Sequence, residues 1–240
     1  MKIIYPLSLV VLGSIQSISQ SPKMNGAWIS VSEGTTTVYI YSDRHFVVSI
    51  FSKEKFIETF GGTYQMEGAA IKETIEFSTR NPDQIGTMQR TSLFWNKAGD
   101  EFKLSKSESV EPPFRCLDNG TPGKLAGAWL ITGRFNNGEM RKNTPGARRT
   151  MKILSGTRFQ WIAYNVETKE FSATGGGTYT TENGKYTENI EFFSRDQSRV
   201  GASLEFDFLM MEDGGWRHSG KSSKGDPIDE VWSQREKLGM

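Results

Sequence analysis

Two glutamates, Glu73 and Glu188, are the residues whose type and spacing most strongly suggest chemistry. Each opens a Glu-x-Ile-Glu motif, at 73–76 and again at 188–191. Because successive side chains of a strand point to opposite faces, each first glutamate shares a face with apolar residues. An unpaired carboxylate is too costly to keep on such a face. It must pair with an arginine or tyrosine in the core, contact a ligand, or take up a proton.

A second cluster, Trp216-Arg217-His218-Ser219, is followed by Lys221 and Asp226. A nucleophilic triad needs a positioned serine and an orienting carboxylate, and no Gly-x-Ser-x-Gly nucleophile elbow occurs after residue 20. The other histidine, His45, is far away in the sequence, so no spacing typical of metal ligands exists. We therefore expect a protein that is not an enzyme and has no metal site and no cofactor.

The elements that position these glutamates are repeated along the chain. The stretch 175–193 predicts a β-hairpin, with a strand through Tyr179, a turn at Glu182-Asn183-Gly184 and a second strand over 185–193. The same unit occurs at 61–77. The offset is 115 residues for the Gly-Gly-Thr-Tyr segments (176 − 61) and for the Glu-x-Ile-Glu motifs (188 − 73). Two copies of one unit therefore make up the chain.

Both copies show the period-2 alternation of strands, and no helical period is evident. This predicts an all-β protein of two tandem, small, antiparallel up-and-down barrels with seven to eight strands each. The predicted barrels span 24–118 and 125–236, with a linker at 119–124. The glycines at 175–177 predict a bulge that lets the sheet curl. A β-sandwich is the alternative, but it requires longer connections between sheets.

The inward face of the predicted sixth strand differs between the copies. Copy one places Thr87, Gln89 and Thr91 where copy two has apolar residues. Each such group costs on the order of 1–3 kcal/mol if it is buried without a partner. Copy one therefore either has a wet lumen, which is the predicted ligand site, or turns this face towards solvent or the other barrel. The candidate ligand-binding residues of the two copies are Glu73, Thr87, Gln89, Thr91, Tyr64, Glu188 and Tyr179.

An insertion distinguishes copy two. The segment 133–149 stands where copy one has only Glu33-Gly34-Thr35, and it is predicted to be a long loop. It carries five basic residues, at positions 134, 141, 142, 148 and 149. Two readings are open, a basic lid over the barrel mouth for an anionic ligand and a solvated, mobile loop.

The N-terminus and the overall charge limit the class of protein. Residues 1–19 predict a cleavable signal peptide, because the apolar run 3–15 is too short to span a membrane. A secreted or periplasmic protein without a transmembrane segment is expected. The 29 basic and 28 acidic residues nearly balance, which argues against nucleic acid as a partner.

The single cysteine, Cys116, is either a small buried hydrophobe or an intermolecular disulfide partner, and the oligomeric state is left open.

The openings of the two copies, Gly26-Ala27-Trp28 and Gly127-Ala128-Trp129, resemble the first-strand Gly-x-Trp signature of lipocalins. With the later Gly-Gly-Thr-Tyr and Tyr-Thr-Glu-x-Ile-Glu segments, the pattern resembles short lipocalin-like (calycin-type) domains of secreted bacterial proteins. The resemblance implies that each tryptophan closes one barrel end and packs against a basic residue of the last strand. Arg235 is the candidate for Trp129, and Arg115 is a weaker one for Trp28.

The resemblance also implies binding rather than catalysis. The main hypothesis is a secreted or periplasmic, non-catalytic protein that binds a small, partly apolar or amphipathic ligand. The alternative is a structural or interaction module with filled barrels that binds proteins or glycans. A continuous internal cavity favours the first hypothesis, and filled barrels with an exposed aromatic strip favour the second.

Overall fold

The computed structural model describes residues 24–104 and 112–240, and this part of the chain forms two closed, eight-stranded antiparallel β-barrels in tandem. The predicted fold class is confirmed. The strands of the two copies form separate sheets rather than one continuous sheet, as the repeat predicted. The predicted signal peptide lies outside the described residues.

The first barrel follows an up-and-down order in which each strand pairs with the next and β1 pairs with β8 to close the sheet. Its strands are β1 (Gly26–Ser32), β2 (Thr35–Ser42), β3 (His45–Ser52), β4 (Phe56–Glu67), β5 (Ala70–Ser78), β6 (Met88–Trp95), β7 (Glu101–Leu104) and β8 (Phe114–Asp118).

The second barrel repeats this order and adds one strand, β10, which pairs only with β9. Its strands are β9 (Gly127–Asn136), β10 (Glu139–Lys142), β11 (Arg148–Leu154), β12 (Arg158–Asn165), β13 (Phe171–Glu182), β14 (Lys185–Phe193), β15 (Ser203–Met210), β16 (Trp216–Lys221) and β17 (Pro227–Gln234). Strands β9 and β17 close it. The insertion predicted as a loop thus contains a β-hairpin. Short 3-10 helices span Pro82–Gln84, Gln197–Arg199 and Glu236–Leu238.

The predicted hairpin is confirmed. Strands β13 and β14 meet at Asn183 and Gly184, whose φ angles of 51° and 76° are typical of a type I′ turn. The predicted bulge is also present, because the pairing register shifts between Gly176 and Gly177. The first barrel shows the same shift between Gly61 and Gly62.

Three apolar cores stabilise the molecule, and strand alternation decides which residues enter each. Inward side chains build one core inside each barrel, around Trp28 in the first and Trp129 in the second. Both indole N–H groups donate to the backbone carbonyl oxygen four residues earlier, Met24 and Leu125, at 2.9 Å. The two tryptophans therefore occupy equivalent places.

The third core joins the two barrels. It consists of outward side chains that pack face to face, from the first barrel Ala27, Val38, Ile40, Val47, Phe51 and Phe77, and from the second Ala128, Leu130, Met151, Ile153, Ile162, Tyr164 and Phe192. An apolar outer wall on each barrel is thereby removed from water, which favours their association.

The predicted stacking of Arg235 on Trp129 is wrong. Gln234 pairs with Trp129, and the backbone N–H of Arg235 donates to the carbonyl oxygen of Ala128. The Arg235 side chain therefore lies on the outward side of the wall, where its guanidinium donates to Glu76 of the first barrel at 2.9 Å. A basic residue after the last strand reaches the neighbouring barrel instead of its own tryptophan.

Candidate ligand-binding site

Each barrel holds a buried carboxylate at the same place in its fold. Glu73 and Glu188 face inwards from β5 and β14, as alternation predicted, and each is 4% exposed. Tyr41 donates to Glu73 at 3.0 Å. Lys152 and Tyr186 donate to Glu188 at 2.6 and 2.8 Å. Both carboxylates thus have partners in the core, which favours the structural reading for each.

The tyrosine partners remain protonated donors. Burial first, and then the neighbouring Glu73, raise the pKa of Tyr41 well above its usual value. Burial and Glu188 act in the same way on the pKa of Tyr186. Neither phenol loses its proton near neutral pH, so both hydrogen bonds to the carboxylates persist.

Lys152 lies in a cage of aromatic rings inside the second barrel. Its ammonium nitrogen lies 4.9 to 5.8 Å from the ring centroids of Tyr186, Phe206, Trp216 and Trp232. At these distances the ring faces attract a cation. Sequence reasoning missed this residue. The available signal was the charge of Lys152 on the inward side of β11, directly opposite Trp129 in the strand pairing.

A cavity of about 260 Å³ occupies the lumen of the second barrel. Its apolar walls come from strands β9, β12, β14, β15 and β17. They comprise Ile131, Trp161, Ile190, Phe193, Leu204, Phe206, Ile228 and Trp232. The polar and charged residues at the cavity are Arg134, Thr150, Lys152, Glu188, His218, Ser222, Ser223 and Glu230. Apolar surface still predominates in the lining, which is usual for a small-molecule site.

His218 is the polar residue that the cavity leaves without a partner. It is 2% exposed, and within the described part of the chain neither ring nitrogen has a hydrogen-bond partner. The nearest carboxylate oxygen, of Glu230, is 3.8 Å from Nδ1, which is too long for a hydrogen bond. Burial, followed by the positive charge of Lys152, lowers the pKa of His218. The imidazole is therefore neutral and offers one donor and one acceptor.

Trp232 adds a second unpartnered group at the same cavity. Its indole N–H is buried and has no acceptor among the described residues. Trp216 and His218 belong to the same buried ring cluster, with centroids 5.4 Å apart.

A scan against protein-family models finds no match for the chain, and a search of curated proteins finds no significant match. Among residues 24–104 and 112–240, no group of three or more histidine, cysteine, aspartate or glutamate side chains is placed to hold a metal ion. The same residues contain no helix that is long and apolar enough to cross a membrane.

Aromatic rings also pack around Trp28 in the first barrel. Trp28 contacts Trp95 and Phe102 edge to face, with centroids 5.4 and 5.1 Å apart. Phe102 stacks on Phe114 at 5.2 Å, and Tyr39 meets Phe114 at 4.9 Å. In the strand pairing Tyr39 lies opposite Trp28, as Lys152 lies opposite Trp129. A tyrosine thus occupies the position that a lysine has in the second barrel.

The polar residues predicted to line the first lumen are dispersed. Thr91 is buried, whereas Gln89 is half-buried. Thr87 is exposed, contrary to the expectation that it faces inwards, because it precedes β6 and its hydroxyl donates to the carbonyl oxygen of Gln84 at 2.8 Å. Tyr64 is half-buried and donates to Asn25 at 2.9 Å.

In the second copy, Tyr179 is buried and donates to the carbonyl oxygen of Ser155 at 2.6 Å. Only Glu188 of the seven candidate residues lines the cavity of the second barrel. The ligand-binding role of all seven stays a prediction.

Proposed function

We propose that this protein is a non-catalytic, lipocalin-like binding protein whose second barrel takes up a small, largely apolar molecule that carries a hydrogen-bond acceptor. The observation that carries the proposal is the cavity of about 260 Å³ with the unpartnered N–H groups of His218 and Trp232 in its wall. The position of this cavity supports binding in the second barrel, whereas the sequence predicted the first.

The energetics of buried polar groups support this function. A buried donor without a partner costs about 1–3 kcal/mol, and most folded proteins satisfy nearly all of them. A ligand oxygen that accepts from His218 or Trp232 removes that cost, while its apolar part contacts Trp161, Phe193 and Leu204. The volume lies near the lower end of ligand pockets, so the ligand is small.

Octanol is a suitable first probe, because it joins a short apolar chain to a single hydroxyl. Isothermal titration calorimetry is expected to detect its binding to the full chain. Leu204→Trp places a large ring in the cavity and is expected to abolish binding. Gln89→Trp is the matched control, since position 89 corresponds to 204 at the 115-residue offset (204 − 115). Loss of binding in the Gln89 variant alone would assign the site to the first barrel.

The ring cluster around Trp28 supports the alternative function for the first half of the chain. We propose that the first barrel serves as a structural module that braces the second barrel through the shared apolar core.

We also propose that the protein is secreted or periplasmic, on the basis of the apolar N-terminal run. N-terminal sequencing of protein exported by a bacterial host tests this. A mature chain starting near Gln20 is the expected result, and a chain retained in the cytoplasm with residues 1–19 intact would contradict it.

A further inference from the structure

The wall of the second barrel opens between β9 and β11. These strands pair only over Gly127–Leu130 and Met151–Leu154. Beyond Leu130, β9 continues alongside β10 and β17, while residues 148–150 of β11 pair only with β12. The two strands therefore separate, and a cleft of about 400 Å³ lies at this point. The insertion that is specific to copy two forms one side of it.

The cleft adjoins the lumen cavity. Three residues, Ile131, Arg134 and Thr150, line both spaces. The lumen and the cleft are therefore neighbours at these three residues, next to β10, which pairs with β9 over Gly133–Asn136. The apolar lumen and the outer cleft form adjoining compartments of different polarity.

The cleft has an excess of positive charge. Its five basic residues are Arg134, Arg141, Lys142, Arg148 and Arg149. Arg134 pairs with Glu230 at 3.2 Å, and Arg149 pairs with Glu76. Within the described residues, no carboxylate lies within 4.0 Å of the cationic nitrogens of the remaining three. Three uncompensated cations in a concave site concentrate positive potential there and attract an anion.

We propose that the ligand of the second barrel is an amphipathic anion, with its apolar chain in the lumen and its carboxylate in the basic cleft. This inference rests on the proposed function, since it needs a ligand in the lumen. Arginine guanidiniums bind carboxylates with two parallel hydrogen bonds, and charge-assisted bonds of this kind are stronger than neutral ones. Arg141 and Arg148 supply such groups beside Lys142.

Paired probes separate this inference from the proposed function. Octanoate and octanol have the same chain length and differ in the charge of the head group. Calorimetry with the full chain is expected to show at least tenfold tighter binding of octanoate. That preference is expected to fall as sodium chloride is added, because salt screens exposed charges. Acetate, which has the head group without the chain, is expected to bind far more weakly than octanoate.

Two matched variants locate the anion subsite. Arg141→Gln/Lys142→Gln/Arg148→Gln removes the uncompensated cations and is expected to lower octanoate affinity to that of octanol, with octanol binding unchanged. Lys97→Gln/Lys103→Gln/Arg115→Gln removes three exposed charges from the first barrel and is expected to change neither affinity. Melting temperatures check that all six exposed substitutions preserve the fold.

The remaining outcomes of these experiments each overturn a different part of the argument. Equal binding of octanoate and octanol, or full octanoate affinity in the cleft variant, overturns the anion subsite and leaves the proposed function standing. Octanoate binding that survives Leu204→Trp, or acetate binding as tight as octanoate, shows a surface anion site and overturns the amphipathic mode. Failure of both octanol and octanoate to bind overturns the proposed function itself.

Discussion

At the scale of single residues, the two barrels stabilise a buried glutamate carboxylate with different partners. An inward carboxylate recurs at the 115-residue offset (188 − 73). In the first barrel Glu73 accepts from a neutral phenol, whereas in the second Glu188 also accepts from a lysine that lies among four rings. A buried ion pair contributes little net stability, but a buried charge that has lost its partner is strongly unfavourable.

Glu188→Gln tests how unfavourable the buried lysine charge becomes when its carboxylate partner is removed. It leaves the Lys152 ammonium buried without a counter-charge and is expected to lower the free energy of unfolding by about 3–5 kcal/mol. The double variant Lys152→Met/Glu188→Gln removes both charges of this pair and is expected to recover most of that loss. Urea unfolding of the two variants measures both values. Equal destabilisation would show that lost packing, and not the orphaned charge, is responsible.

His45 is expected to make stability depend on pH. Burial, and next the positive charge of Arg235, lower the pKa of His45 from 6.5 to about 4. Between these values the unfolded chain binds a proton that the folded protein does not, so stability falls as the pH is lowered through this window. The full window corresponds to roughly 3 kcal/mol.

The His45→Gln variant isolates this contribution, because all other groups still titrate. Between pH 7 and pH 4 it is expected to lose roughly 3 kcal/mol less stability than the unchanged protein, as measured by urea unfolding at each pH. Parallel pH profiles for the two proteins would contradict the assignment.

At the scale of elements, glycines allow the long hairpins to curl. The register shifts at Gly62 and Gly177 occur at equivalent places in β4 and β13. There the backbone of the next strand comes so close that a Cβ atom at either position would overlap a carbonyl oxygen, of Thr74 or Asn189. These glycines are required by the close approach of two backbones.

Gly177→Ala is expected to destabilise the protein by about 2–3 kcal/mol, because the overlapping backbone atoms must move to admit the methyl group. Gly146→Ala is the control, since a Cβ there meets no atom within 4 Å. Its effect is expected to stay within about 0.5 kcal/mol. Thermal and urea unfolding measure the two variants, and similar values for both would contradict the role of the bulge.

At the scale of the whole molecule, carboxylates of the first barrel bind groups of the second, Asp118 at Ser155 and Glu76 at Arg235. Glu76, on the outward side of β5, accepts from Arg235 at 2.9 Å and from Tyr164 at 2.9 Å, and it also pairs with Arg149. Burial alone would raise the pKa of Glu76, but the charges of Arg235 and Arg149 outweigh it and hold that pKa below its usual value. The carboxylate is therefore ionised in the interface.

Glu76→Gln is expected to lower the free energy of unfolding by about 3 kcal/mol, because Arg235 is 3% exposed and loses its counter-charge. The matched comparison is Glu191→Gln, at the same place in the second copy (191 − 115), where the Glu191 side chain is 34% exposed against 16% for Glu76. Because water screens the more exposed carboxylate better, Glu191→Gln is expected to cost less than Glu76→Gln. An effect of Glu191→Gln as large as that of Glu76→Gln would contradict the special role of Glu76.

The sequence by itself determined the features that depend on neighbours along the chain. Alternation decided that Glu73 and Glu188 face inwards, Asn183-Gly184 decided a turn, and the repeat offset decided that two similar barrels follow one another. Only the tertiary structure decided what those faces meet. Lys152 reaches Glu188 from 36 residues away, and Arg235 reaches Glu76 from 159 residues away in the other barrel. Periodicity assigns a side chain to a face of a strand, whereas the closure of the sheet and the docking of the barrels decide its partners. For that reason the ring cluster around Trp28, the cavity at His218 and the basic cleft beside β10 required the folded molecule.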